Sequence, residues 1–149
     1  MEIQRVNSLP DISGLIVESK TEGFRFVQRL QQGFDDGSNR FDQQGEFLFA
    51  VYHYNSVIAI GGINRMIYEK KPVGRLRRFY VAREHRNCGT GSLLLNHIES
   101  HAFHYFDMLV LYTDTTSAAL FYEKNDYIRA DMDNISHVKY RKYRAAKEI

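Results

Sequence analysis

One change in hydrophobic period, in the second half of the chain, constrains the fold most strongly. The β-rich run Gly74–Val81 precedes a segment with apolar residues at helical spacing, and the short apolar run Met108–Leu111 follows it. The helical face comprises Gly91, Leu94, Leu95, Ile98 and Ala102. This order predicts a strand, an amphipathic helix and a buried parallel strand, which together form a crossover. Because parallel strands then end beside a helix N-terminus, we expect a ligand site here.

The remaining segments place this crossover in the centre of one α+β domain, residues 1–149. The length of 149 residues is typical of a single domain. Strands are predicted at Met1–Val6, Glu46–Tyr54, Ser56–Tyr68, Gly74–Val81, Met108–Leu111, Tyr127–Ala130 and His137–Tyr143. Helices are predicted around Leu15–Val17, from Phe24 to a stop by Gly33–Gly37, at Gly91–Ala102 and at Ala118–Lys124. Gly61-Gly62 indicates a bulge in the third strand, and Lys71-Pro72 marks the turn that leads into the fourth.

Composition excludes several classes of protein. Cys88 is the only cysteine, so an intramolecular disulfide framework and a Cys-rich zinc site are impossible, and a reducing cytoplasm is the expected location. The segment 47–64 lacks charged residues, but polar residues 53–56 divide it, which favours two strands and a turn over a membrane helix. The six histidines show no metal-ligand spacing. We therefore expect a soluble protein without a metal or a membrane partner.

The net charge of +2 conceals an asymmetry between the two halves of the chain. Residues 1–70 hold 7 basic and 9 acidic residues, whereas residues 71–149 hold 13 basic and 9 acidic residues. Six of the basic residues crowd between positions 71 and 86, where Glu84 is the only acidic residue; they are Lys71, Arg75, Arg77, Arg78, Arg83 and Arg86. Such a patch attracts an anion, which charge alone does not identify.

The segment Arg86-Asn87-Cys88-Gly89-Thr90-Gly91 joins the predicted strand to the predicted helix. Its glycines allow a sharp turn and a close approach of the backbone to a ligand. Free N–H groups and the positive end of the helix would then bind pyrophosphate oxygens. The spacing matches neither the dinucleotide fingerprint nor the Walker A loop. The simpler alternative is a turn that only begins the helix, and the adjoining strand, helix and basic residues favour phosphate binding over it.

These residues resemble the GNAT superfamily of N-acetyltransferases. The superfamily's acetyl-CoA signature, Arg/Gln-x-x-Gly-x-Gly/Ala after a strand ending in Val, is matched by Arg86, Gly89, Gly91 and Val81. A second feature, Ala-x-x-Phe/Leu-Tyr-Glu-Lys-x-Gly-Phe, corresponds to residues 118–127. The resemblance runs almost continuously from Leu76 to Tyr127. It implies a mixed, mostly antiparallel sheet with helices on both faces and central parallel strands joined by the helical crossover.

The resemblance also implies an activity and the residues that perform it. The protein would transfer acetyl directly from acetyl-CoA to a primary amine, without a metal or a covalent enzyme intermediate. The cofactor-binding set would comprise Arg86 together with Asn87, Cys88, Gly89, Thr90, Gly91 and Ser92, whose backbone amides would hold the pyrophosphate of CoA. The strand Phe79-Tyr80-Val81 would bind the pantetheine and polarise the thioester carbonyl. Tyr122 would be the catalytic residue that protonates the departing thiolate.

Neither the general base nor the acceptor is identified by the sequence. Related sequences often carry Glu where Arg75 stands, and this leaves Asp114, Glu84, Glu22 or a water relay to deprotonate the amine. The acceptor is expected to enter opposite CoA, between the first two helices and the late strands, where Phe24, Phe26 and Tyr80 would lie. Small amines, amino acids, polyamines, antibiotics and protein amino groups all remain open as acceptors, and so does the oligomeric state.

Two other functions compete with this interpretation. The first is a CoA-binding regulatory or interaction domain without transferase activity, which the absent Glu makes credible. The second is a nucleic-acid-binding module that uses the basic residues between Arg75 and Arg86 and the alternating basic and aromatic tail Lys139–Arg144. Such an alternation is more often a solvated strand, so we do not expect a nucleic-acid partner.

Overall fold

The computed structural model describes residues 1–142, which form a mixed sheet of seven strands covered by four helices. The elements are β1 (Glu2–Arg5), α1 (Ser13–Thr21), α2 (Phe26–Asp36), β2 (Phe47–His53), β3 (Ser56–Tyr68), β4 (Lys71–Val81), a 3₁₀ turn (Arg83–His85), α3 (Thr90–Ala102), β5 (Met108–Leu111), α4 (Thr116–Lys124), β6 (Ile128–Met132) and β7 (Ile135–Tyr140). The strand order is β1-β2-β3-β4-β5-β7-β6. Among the strands of residues 1–142, only β4 and β5 pair in parallel, and α3 joins them. The predicted fold class, the order of elements and the central crossover are confirmed.

Two layers of helices enclose the sheet. On one face α1 and α2 bury a core that includes Leu15, Val27, Leu30, Ala50 and Ile60. On the other face α3 and α4 bury a second core around Leu94, Leu95, Ile98, Leu109 and Tyr122. The continuous apolar run of β5 follows from this arrangement, because a central strand is buried on both faces.

The parallel strands β4 and β5 separate after a short common stretch. Their register contains two pairs, Gly74 with Leu109 and Arg75 with Val110, although β4 continues to Val81. Gly74 allows the two strands to approach each other where their pairing begins, since a Cβ on this residue would lie 2.7 Å from Leu109 Cδ2. From Leu76 onward the edge of β4 that faces β5 has no partner strand within residues 1–142. The result is a wedge that opens toward the N-terminus of α3.

A bulge alters β4 at the wedge. Ile60 pairs with Tyr80 and Gly62 with Arg77, so Gly61 faces two residues of β4 instead of one. Arg78, one of these two, has a positive φ of 59°. A Cβ on Gly61 would approach Phe79 Cδ2 to 2.7 Å, which explains why glycine stands there. The bulge predicted at Gly61-Gly62 is confirmed. It changes the direction of the part of β4 that borders the wedge.

Some predicted boundaries are wrong. The turn before β4 is formed by Glu69 and Lys70, both with positive φ, and Lys71-Pro72 already belongs to the strand. Pro72 is tolerated because β4 begins outside its pairing with β5. By contrast, the stop predicted for α2 between Gly33 and Gly37 is confirmed, because the helix ends at Asp36 and Gly37 follows it in the left-handed conformation, with a φ of 77°. The last strand ends at Tyr140, and the predicted end at Tyr143 lies outside the described residues. Among the described helices, none has the length and apolar character needed to cross a bilayer.

Candidate active site

The wedge between β4 and β5 is the mouth of a cleft of about 830 Å³. One wall is β4 from Arg75 to Val81, and the other comprises the end of β5 and one side of α4. Phe24, Phe26 and Arg29, from the start of α2 and the segment before it, border the cleft at one end. The segment that precedes α3, with the first turn of that helix, borders it at the other. Of the predicted site residues, the cleft lining includes Phe79, Tyr80, Val81, Arg86, Asn87, Gly89, Gly91, Ser92 and Tyr122.

The loop before α3 presents free backbone donors to the cleft. Asn87 and Gly89 adopt positive φ values of 59° and 90°, which turn the chain sharply into the helix. The first backbone bond of the helix runs from the Leu93 N–H to the Gly89 carbonyl, and no side chain caps the N-terminus. In the described chain, the N–H groups of residues 87–92 have no hydrogen-bond acceptor. Such donors at a helix N-terminus form an anion-binding site.

The two glycines of this loop serve different purposes. A Cβ built on Gly89 would meet no atom within 4 Å, so the position is open to the space that a ligand would enter. A Cβ on Gly91 would lie 3.2 Å from the ring of Phe121, which packs against it from α4. Gly91 therefore allows α3 and α4 to approach each other, whereas Gly89 leaves room beside the free amides.

Two residues of the predicted cofactor-binding set, Cys88 and Thr90, do not line the cleft. The exposed Cys88 thiol lies 3.0 Å from the carbonyl oxygen of His85. The Thr90 side chain is buried, and its hydroxyl lies 3.7 Å from the sulfur of Met1. Any contact of these two residues with a ligand in the cleft would involve their backbone N–H groups.

The side chain of Arg86 is bound within the protein. It donates two hydrogen bonds of 2.8 Å to the carboxylate of Glu22, and its Nε donates to the Val81 carbonyl at 2.9 Å. The guanidinium also lies over the ring of Tyr80, 5.2 Å from the centroid. These contacts fasten the loop before α3 to the end of β4 and to the segment between α1 and α2. Arg86 thus positions the loop, and it is one of the residues that line the cleft.

Glu22 and Glu18 share the phenol of Tyr80. The Tyr80 oxygen lies 2.5 Å from Oε1 of Glu22 and 2.8 Å from Oε1 of Glu18. Burial and these carboxylates raise the pKa of Tyr80. Hydrogen bonds from Arg86, supported by Tyr80, lower the pKa of Glu22 to about 2, even though burial opposes the shift. Glu22 is therefore a poor proton acceptor at neutral pH. The other two base candidates, Glu84 and Asp114, are exposed and do not line the cleft.

Tyr122 lies on α4 with one side in the core and the other at the cleft. Its side chain is packed by Phe79, Phe121 and Tyr127, with ring centroids 6.1, 5.2 and 5.6 Å away, and it is 8% exposed. Burial raises the pKa of the phenol, so the proton is retained at neutral pH. The hydroxyl makes no hydrogen bond to another atom of residues 1–142 and is available to a molecule in the cleft.

The cleft is cationic throughout. Among residues 1–142, its lining contains Arg29, Arg75, Arg77, Arg78, Arg86 and Lys124, and no aspartate or glutamate. The basic segment predicted from the sequence accounts for the residues of β4, but Arg29 comes from α2, far away in the chain. Thr113 and Ser117 of the opposite wall were likewise not predicted, because no motif marks them, and Thr115 lines the same wall. Within residues 1–142, no group of His, Cys, Asp or Glu side chains is arranged to hold a metal ion.

Comparisons with known proteins agree with this architecture. The family described as "Acetyltransferase (GNAT) domain" matches residues 44–129. The crystal structure of a protein assigned as an acetyltransferase in Exiguobacterium sp. 255-15 is similar at a TM-score of 0.81 and 32% identity, covering 93% of this chain and 92% of that one. No curated protein sequence matches the chain.

Two more distant structures share the fold alone. A GNAT family acetyltransferase from Staphylococcus aureus Mu50 has a TM-score of 0.70 and 15% identity, covering 95% of this chain and 100% of that one. A GNAT family acetyltransferase from Elizabethkingia anophelis with acetyl-CoA bound has a TM-score of 0.64 and 14% identity, covering 94% of this chain and 97% of that one. From the family match and the Exiguobacterium relative, the chain belongs to the GNAT family of acetyltransferases, enzymes that transfer acyl groups.

Proposed function

We propose that the protein is an N-acetyltransferase that transfers acetyl from acetyl-CoA directly to a primary amine. One observation carries the proposal: the free amides at the start of α3 adjoin the unpaired edge of β4 in a single cleft. An anion-binding helix N-terminus suits the pyrophosphate of CoA, and an unpaired strand edge suits its extended pantetheine, which contains amides. The likeness to a structure that contains acetyl-CoA supports the same donor. A cytoplasmic location belongs to the proposal and rests on the single cysteine.

Acetyl-CoA, when bound, would supply the acyl group as a thioester. The amides of residues 87–92 would hold its phosphates, and the open position at Gly89 fits this group because nothing lies within 4 Å of a Cβ there. The backbone of Phe79-Tyr80-Val81 would bind the pantetheine and polarise the carbonyl from the bulged part of β4. The cavity, the free donors and the unpaired strand edge together fit the donor molecule.

Tyr122 would hold a proton beside the leaving sulfur. Its phenol borders the cleft, has no hydrogen bond to the described chain and remains protonated at neutral pH. A thiolate is a better leaving group when a donor stands near it, because the donor stabilises the negative charge that develops on sulfur. In the net reaction the C–S bond of the thioester breaks, a C–N bond forms between the acetyl carbon and the amine, and one proton passes from the amine nitrogen to the sulfur of CoA.

The cationic lining offers a physical reason why the cleft needs no carboxylate as a base. An ammonium group close to other positive charges has a lowered pKa, because repulsion favours its neutral form. The charged groups that border the cleft are Arg29 from α2, Arg75, Arg77 and Arg78 from β4, Arg86 in its pair with Glu22, and Lys124 from α4. An amine bound here would lose its proton to water more readily than it does in bulk solution.

The missing carboxylate also favours one other function, a CoA-binding domain without transferase activity. A screen of amines with acetyl-CoA, read by the appearance of the free CoA thiol, separates the two functions. The proposal predicts acceptor-dependent thiol release that Tyr122→Phe reduces. Saturable acetyl-CoA binding without release for any amine in the screen would support the regulatory domain. Absence of both binding and release would reject both functions.

A further inference from the structure

Four arginines at one end of the cleft form a cluster, Arg29, Arg75, Arg77 and Arg78, which we call the arginine cluster. Three lie on β4 and Arg29 lies on α2. None of the four forms a salt bridge or a side-chain hydrogen bond with another residue of the described chain. The contrast with Arg86 is informative, because that side chain is held by Glu22 at 2.8 Å.

The arginines of the cluster repel one another and are partly removed from water. Burial, followed by the neighbouring charges of Arg77, Arg29 and Arg75, lowers the pKa of Arg78 to about 10. Burial, followed by Arg75, lowers the pKa of Arg77 as well, and the charge of Glu46 opposes this shift in part. The Nε of Arg78 is buried and has no hydrogen-bond partner within residues 1–142. Unpaired buried charge is unfavourable unless an anion completes the site.

The cluster lies on the opposite side of the cleft from the phosphate-binding loop. Leu76 packs in the core beneath α3, so its neighbours Arg75 and Arg77 face the side of α2 by strand alternation. At about 3.3 Å per residue, Arg77 lies on the order of 13 Å along β4 from Val81, where the loop toward α3 begins. Phe24 and Phe26 border this end of the cleft, and the ring of Tyr80, next to Val81 in β4, lies 6.0 Å from that of Phe26.

We propose that the acceptor amine carries an oxyanion, a carboxylate or a phosphate, which the arginine cluster binds. This inference rests on the proposed function, because it assumes that the amine enters at this end of the cleft. The planar guanidinium forks match carboxylate and phosphate oxygens with paired hydrogen bonds. The aromatic rings beside them offer an apolar wall to the rest of the acceptor. An amine without an anionic group would meet only repulsion from the four cations.

Matched acceptors test the proposal. Phenylalanine is compared with phenethylamine, lysine with cadaverine, and phosphoethanolamine with ethanolamine, each by thiol release from acetyl-CoA. In each pair whose oxyanion the arginine cluster binds, we expect kcat/KM to be about 10- to 100-fold higher for the anionic acceptor than for the acceptor without the anion. A preference confined to the first two pairs identifies a carboxylate, and one confined to the third identifies a phosphate. Equal or inverted preference in all three pairs, with turnover present, overturns the inference and leaves the transferase function standing.

Binding is measured separately from turnover. Calorimetry compares the binding of N-acetylphenylalanine and N-phenethylacetamide in the presence of CoA. We expect N-acetylphenylalanine, which carries the carboxylate, to bind more tightly. If acetyl-CoA does not bind, the proposed function fails. In that case a titration of N-acetylphenylalanine without CoA still decides whether the cluster binds an anion. Absence of any carboxylate or phosphate binding overturns the inference.

Variants assign the effect to the cluster. Arg77→Gln is expected to abolish the preference for the anionic acceptor, and Arg77→Lys to restore part of it, because lysine keeps the charge without the fork. Arg65→Gln is the matched control, since Arg65 is exposed and does not line the cleft. Arg77→Gln should melt at the same or a higher temperature, because it relieves repulsion. A parallel loss of acetyl-CoA affinity would assign the cluster to the donor and overturn the inference.

Discussion

Glu22 accepts two hydrogen bonds of 2.8 Å from the guanidinium of Arg86, across 64 positions of sequence. The pair joins the segment between α1 and α2 to the loop that precedes α3. Through Arg86 Nε it also reaches the Val81 carbonyl, where β4 ends. The loop with the free amides is therefore fixed by a side chain that belongs to the acetyl-CoA signature. The side chain of this arginine therefore stabilises the shape of the site.

Glu22→Gln should destabilise the protein. The substitution removes the charge that Arg86 faces and leaves this half-buried guanidinium with a weaker acceptor. The expected loss in the free energy of unfolding at pH 7 is about 1.5–3 kcal/mol, the range for hydrogen bonds to charged groups. Chemical denaturation measures it, with Glu84→Gln as the control, because Glu84 is exposed and has no partner in the described chain. Equal stability of the two variants would show that the Glu22–Arg86 pair contributes nothing.

The same pair predicts a dependence of stability on pH. The pKa of Glu22 falls from its ordinary 4.5 to about 2 on folding, chiefly because Arg86 donates hydrogen bonds to it. A carboxylate with a lowered pKa in the folded state stabilises fully above its unfolded pKa. The stabilisation is lost as pH falls from about 4.5 toward about 2. The difference in unfolding free energy between wild type and Glu22→Gln should shrink over this window. A difference that stays constant down to pH 2 would contradict the assignment.

Tyr122→Phe should lower kcat by about 10-fold or more, because it removes a proton donor whose contribution is typically ~10²–10⁴-fold and which water replaces in part. Acetyl-CoA affinity should change little, since the loop before α3 is untouched. Steady-state kinetics with an acceptor from the amine screen supply the measurement.

Tyr127→Phe is the matched control for this change. Tyr127 packs against Tyr122, its hydroxyl is buried without a partner in the described chain, and it does not line the cleft. The kcat of Tyr127→Phe should equal that of the wild-type protein. An unchanged kcat in Tyr122→Phe, with chemistry as the slow step, would reduce Tyr122 to a packing residue.

The order of elements was predictable because hydrophobic period changes sharply along this chain. The helical spacing from Gly91 to Ala102 and the apolar run Met108–Leu111 identify α3 and β5 without reference to any partner. The paired glycines 61 and 62 likewise predict the bulge, because glycine in a strand indicates a close approach of backbone. Local signals of this kind predict the order of the elements, whereas the arrangement of the strands in a mixed sheet was implied by the resemblance to the GNAT superfamily.

The role of each residue within the site could not be predicted, since these roles depend on contacts between residues that are distant in sequence. The partner of Arg86 is Glu22, and the atoms that exclude a side chain at Gly91 belong to Phe121. Arg29 joins the arginines of β4 only because α2 packs on that face of the sheet. A motif marks the loop before α3, but packing decides that Cys88 and Thr90 direct their side chains away from the cleft.

The most direct test of the central claim is a calorimetric titration of acetyl-CoA into wild type, Gly89→Val and Gly37→Val. Both glycines have positive φ, 90° and 77°, so valine strains the backbone similarly at either position. Only Gly89 borders the cleft, where the new side chain would fill the space beside the free amides. We predict saturable binding to wild type and to Gly37→Val, and a loss of at least about 10-fold in affinity for folded Gly89→Val. Wild-type affinity in Gly89→Val, or no binding to wild type, would contradict this prediction.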